Sequence, residues 1–228
     1  MAKTILSLTV VLLILFVGAS SAGAQTSISF GNGGSSSDQV TFIANSGGAA
    51  LDLGTCTVVS SVDTCTLSGP NVPGSGTYLF TTTEAGTADI QVGAFIGSSL
   101  NRSVSMGGAA TAFTFTSSSG NLSGSVVWDK VITDGQAILS GTLTISSSTL
   151  SGALGPGAVN SQVNIDITTV KGPDLSTTIF NASPGTTEGL ALSSGEVAAT
   201  PEPSSMLLFG SGLLMAGGIL RRRLTLQA

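Results

Sequence analysis

Short runs in which apolar and polar residues alternate one for one recur along this chain, and they restrict most of it to half-buried strands. Phe113 and Phe115 alternate with Ala112, Thr114 and Thr116, and Val163, Ile165 and Ile167 alternate with Asn164 and Asp166. Val40 and Phe42, Tyr78 and Phe80, and Leu143 and Ile145 repeat the pattern, with further strands expected near residues 27–30, 90–96, 125–129 and 137–139. Between them lie breakers such as Gly69 with Pro70, Pro73 with Gly74, Gly107 with Gly108, and Gly155, Pro156 and Gly157. Asp134 and Gly135, set between two apolar pairs, predict a tight hairpin. The stretch 25–184 has no convincing helical stripe, so the expected fold is antiparallel all-β, a β-sandwich or jelly roll.

Both ends of the chain carry a different pattern. Lys3 precedes an apolar stretch at residues 5–17, and Ala22 and Ala24 flank Gly23 in the small-residue arrangement of a signal cleavage site. Residues 1–24 therefore read as a signal peptide, which makes the secretory translocon and signal peptidase expected partners. Residues 185–200 are small and polar and read as a linker, with a possible edge strand around Leu190 and Leu192. Residues 201–228 read as a separate C-terminal signal.

That signal has three parts. Pro201, Glu202 and Pro203 come first. The uncharged segment 204–220 follows, made apolar by Leu207, Leu208, Phe209, Leu213, Leu214, Ile219 and Leu220. Its seventeen residues would span about 25 Å as a helix, close to the thickness of a hydrocarbon core. Arg221, Arg222 and Arg223 then supply a basic tail whose natural place is the cytoplasmic headgroup region. A charged triplet beside so long an apolar run argues for a transmembrane helix over a buried one.

In this order, the segment resembles the PEP-CTERM sorting signal of bacteria that make extracellular polysaccharide. The resemblance implies recognition and cutting near Pro201, Glu202 and Pro203 by a membrane-embedded exosortase. It further implies an exported protein, anchored in the inner membrane before processing and then found at the cell surface or in the extracellular matrix. Exopolysaccharide is the partner it suggests for the body.

Composition limits that body. Residues 25–200 hold eleven acids against three bases, Arg102, Lys130 and Lys171, for a net charge near −8. Such a domain does not track a phosphate backbone, so nucleic acid is not expected as a partner. The surface must instead be dressed with Ser, Thr, Asn and Gly. Cys56 and Cys65 are the only cysteines, and their spacing predicts a disulfide in an oxidising compartment. A metal pair would lack histidine, which the chain does not contain.

The absence of histidine also excludes a Ser-His-Asp triad and removes the usual general base. Asp129 with Asp134, and Glu84 with Asp89, are the carboxylate pairs that a small glycan hydrolase would use, but acids at strand ends are more often turn formers. No catalytic residue, resident metal or cofactor is expected. Calcium binding by Asp38, Asp52 and Asp63 is the alternative, without the Asp-rich loop that would support it. A carbohydrate-binding module is another, and it requires Trp128 or Tyr78 as an exposed platform, whereas their strand context points to the core. Arg102, between Asn101 and Ser103, is expected to face solvent.

Overall fold

The structure is a computed structural model that describes residues 27–31, 39–70, 76–85, 90–95, 101–106, 109–133, 135–170, 172, 175–199 and 212. The signal peptide, Pro201 to Pro203, the apolar segment and the three arginines fall outside the described residues, apart from Gly212. Among the described residues, no helix is long and apolar enough to cross a membrane. The unit Thr26–Ala199 is compact.

Among the described residues of this unit, the alternation read from the sequence becomes thirteen strands, all paired antiparallel in one sheet. They are β1 (Ser27–Phe30), β2 (Gln39–Asn45), β3 (Gly48–Leu53), β4 (Thr55–Val59), β5 (Val62–Pro70), β6 (Gly76–Ala85) and β7 (Ile90–Phe95). β8 (Asn101–Ser105), β9 (Ala110–Ser117), β10 (Gly120–Ile132), β11 (Ile138–Ser148), β12 (Gln162–Thr169) and β13 (Thr187–Ala198) complete the set. One turn of helix, α1 (Leu175–Thr178), lies between β12 and β13.

Eight strands close a ring: β10 pairs β11, and the path runs through β12, β13, β2, β3, β7 and β8 back to β10. Closure depends on the length of β10. Its residues 120–126 pair with β9, while Lys130, Val131 and Ile132 pair with β8. From the β9 pairing the sheet continues outward through β6 and β5 to β4, forming a flap beyond the ring. The all-β antiparallel class is therefore as expected, but the strands form one continuous sheet rather than the two separate ones of a simple sandwich.

The inward residues form one core. Phe30 of β1 packs against Tyr78, Phe80 and Phe113, with ring centroids 5.0, 5.7 and 5.5 Å away. Phe80 also meets Phe113 at 4.7 Å and Trp128 at 6.0 Å. Removing each such side chain from water is worth about 1.5–3 kcal/mol, so this cluster anchors the flap to β1.

Two expectations are corrected here. Residues 185–200 are not a linker: β13 occupies most of that stretch and bonds to β12, β2 and β1. The body thus runs to Ala199 rather than ending near residue 184. The turn containing Gly135 does join a hairpin, but Ile132 pairs with Ile138, so the connection is five residues long rather than a two-residue turn.

Candidate functional site

The outward face of the sheet divides by charge. On the flap, cross-strand register lines up Thr55, Thr66, Thr81, Ala112 and Ser125 in one row across β4, β5, β6, β9 and β10. A second row holds Thr57, Thr64, Thr83 and Ala110, and a third holds Ser68, Leu79, Thr114 and Ser123. None of these residues is buried, and none is charged. The acids of the flap, Asp63 and Glu84, sit opposite each other in alternate positions, on the inward side of the pleat.

Charge appears farther along the sheet. Asp166 of β12 lies directly across from Glu196 of β13, with Ser140 and Ser29 on the strands to either side. These four residues, with Thr168 and Ser194, line a groove of about 390 Å³. Ile132 and Ile138 supply apolar lining. Carboxylates and hydroxyls gathered in this way offer oxygen atoms to a hard cation or to sugar hydroxyls. Asp129 stands at a bulge in β10 and accepts a hydrogen bond from the Thr142 hydroxyl at 3.3 Å.

The sequence did not single out Asp166 and Glu196 as a pair. They are thirty positions apart, and only the β12–β13 register brings them together. Each grouping of acids it did consider includes a residue outside the described ones. Asp38, Asp89 and Asp134 fall outside the described residues. Glu84 is buried at 1% exposure, and Asp129 is exposed. Among the described residues, the acid and cysteine groups close enough to share an ion are Asp52, Cys56 and Cys65. The two sulfurs are bonded to each other at 2.01 Å, which confirms the disulfide and removes them as thiolate ligands.

The aromatic residues are equally definite. Trp128 and Tyr78 are each 1% exposed, so neither forms a platform on the surface. Arg102 does not face solvent as expected. It is buried, its guanidinium lies 3.5 Å from the centre of the Phe180 ring, and one terminal nitrogen donates to the Gly93 carbonyl at 3.2 Å. A cation stacked on an aromatic face and bonded to a carbonyl is a structural arrangement that joins β8 to the segment after α1.

No curated protein and no solved structure matches this chain. One family model does, over residues 199–223, and it describes the PEP-CTERM protein-sorting motif. The match covers Pro201, Glu202, Pro203, the apolar segment and the three arginines, and it implies processing by an exosortase. At its C-terminal end, this chain carries a PEP-CTERM sorting signal.

Proposed function

We infer that this chain is an exported, non-catalytic protein of the bacterial cell surface or extracellular matrix, structural or adhesive within an exopolysaccharide layer. Residues 1–24 direct it through the secretory translocon and are removed by signal peptidase after Ala24. Residues 204–220 hold it in the inner membrane as a transmembrane helix with Arg221, Arg222 and Arg223 on the cytoplasmic side. Exosortase then cuts near Pro201, Glu202 and Pro203. The observation that carries this reading is the sorting motif at residues 199–223.

The body suits the role. A disulfide-closed hairpin, a closed ring of strands and a hydroxyl-rich surface give a stable domain for an oxidising exterior. A layering like that of a β-sandwich or jelly roll is supported by Phe30 of β1, which pairs with β13 but packs on Tyr78 of β6 and Phe113 of β9. The burial of Trp128 and Tyr78 supports adhesion by polar contact over an aromatic sugar platform. Asp166 and Glu196 stand side by side on adjacent strands, which favours a charged surface over the two opposed carboxylates of a glycoside hydrolase.

The test is fractionation of the native host expressing the full chain or a chain lacking residues 201–223. The expected result is loss of processing and retention away from the surface for the shortened chain. Intact mass of the released wild-type species should place its new C-terminus near Pro201 to Pro203. Unchanged location and processing without the segment would refute the sorting reading.

A further inference from the structure

We propose that the outward face of the flap, over β4, β5, β6, β9 and the first half of β10, is a binding surface for an uncharged polysaccharide. The inference rests on the adhesive reading above and specifies the surface and polymer class involved.

Charge is the first argument. The body carries a net charge near −8, yet this face carries no ionisable side chain in its three rows. Asp63 and Glu84, the acids of β5 and β6, occupy the opposite side of the pleat, and the exposed Asp129 lies beyond the part of β10 that pairs with β9. An anionic polymer would be repelled by the domain as a whole, and a cationic one would be drawn to Asp166 and Glu196. A neutral polymer is the electrostatic complement of this face.

The chemistry of the face is the second argument. Threonine presents a hydroxyl and a methyl together, and Leu79 adds apolar contact at 38% exposure. Pyranose chains carry the same mixture of hydroxyl edges and C–H faces. Rigidity is the third. Threonine is stiff at its first side-chain torsion, and the opposite side of the flap is packed with Leu67, Tyr78, Phe80 and Phe113. Little side-chain freedom remains to be lost on binding. Five strands by three rows give a surface of about 19 Å by 14 Å. Many weak hydroxyl contacts across that area act together on a repeating polymer, although each is worth little alone.

The experiment uses the full chain in detergent, mixed with insoluble neutral glycans (microcrystalline cellulose, xylan and amylose) and with alginate as the anionic polymer. The wild type is expected to be retained on at least one neutral glycan and not on alginate. Thr66→Glu with Thr81→Glu places two charges at the centre of the face and should lower retention about tenfold. Thr66→Val with Thr81→Val keeps shape and strand preference but removes two hydroxyls, and should lower it about threefold. Gln162→Glu adds a charge at an exposed position of β12, outside both the flap and the groove, and should leave it unchanged. Failure to bind all three neutral glycans, stronger binding to alginate, or full retention of the glutamate variant would overturn the proposal. In the native host, the glutamate variant should still be exported and cut near Pro201, so loss of polymer binding is separable from loss of sorting.

Discussion

The indole N–H of Trp128 donates to the hydroxyl of Thr111 at 3.2 Å, and that hydroxyl lies 3.0 Å from the Thr82 hydroxyl. All three side chains are buried, so this short chain of polar groups is what allows a tryptophan to sit at the centre of the core. Thr111→Val keeps the shape but leaves the indole N–H and the Thr82 hydroxyl without their shared partner. The expected loss is about 1–3 kcal/mol, with Thr111→Ser restoring most of it. Denaturant unfolding followed by the emission of Trp128 measures both, and an unchanged midpoint for the valine variant would show that the hydrogen bonds contribute nothing. The same emission should not respond to added oligosaccharide, because Trp128 does not reach the surface.

Gly195 lies directly across from Phe30 in the β1–β13 ladder. A methyl group on Gly195 would run into the ring of Phe30, which lies over this part of β13. Gly195→Ala therefore overfills the site, and a loss of about 1–3 kcal/mol is expected. Phe30→Leu in the same chain should recover part of it, since a smaller side chain leaves room. Thermal melts of the single and double variants decide this: strict additivity of the two losses would mean the residues do not compete for the same space.

The same glycine explains why the sequence hid β13. Its buried positions are Leu190 and Leu192, then Gly195 and Val197, so the alternation changes phase in the middle. The β12 partners confirm the slip: Thr168 faces Ser194, and Thr169 faces Leu192, with an extra residue between. A bulge followed by a glycine in a buried position has the composition of a linker, although it builds the centre of the sheet. β10 has a similar slip at Asp129, but Val126, Trp128 and Val131 keep it recognisable as a strand. Strands with unbroken alternation, such as β9 and β12, were legible in full. The disulfide was legible from the cysteine count alone. Ring closure and the Asp166–Glu196 pair were not, because both depend on which distant strands meet. Arg102 was misread because its cover, Phe180, lies far along the chain.

Ser60 and Ser61 connect β4 to β5 and both have positive φ, 53° and 63°. This is the backbone of a two-residue hairpin turn that usually selects Asn-Gly, so nothing in the serine pair announced it. Replacing the pair by Asn-Gly should stabilise the hairpin by up to about 1 kcal/mol, since glycine adopts positive φ without steric cost. Amide hydrogen exchange of β4 reads the effect locally.

The Cys56–Cys65 bond crosses the same hairpin between directly opposed residues. Closing a loop of this size is worth roughly 2–3 kcal/mol on the chain-entropy account. β4 is the last strand of the sheet and pairs with β5 alone among the described strands. Reduction should therefore speed exchange in β4 by far more than in β10 or β11. Equal acceleration throughout the domain would show that the edge strand unfolds only with the whole.

Asp166 and Glu196 place two carboxylates directly opposite each other on adjacent strands, a pairing that sheets ordinarily avoid. Among the described residues, no side-chain hydrogen bond gives either a structural purpose in holding β12 to β13, whose backbone ladder and buried Ile165, Ile167 and Val197 already do so. The repulsion is therefore a cost, reduced by solvent because Glu196 is exposed. Glu196→Gln should stabilise the domain by about 0.2–1 kcal/mol in low salt. The gain should shrink as ionic strength rises, because added ions screen the wild-type pair. Denaturation of both proteins at low and high salt measures this difference. A gain that persists at high salt would assign the effect to packing or strand preference, and a loss of stability would mean that the paired charges attract something in the groove that offsets their repulsion.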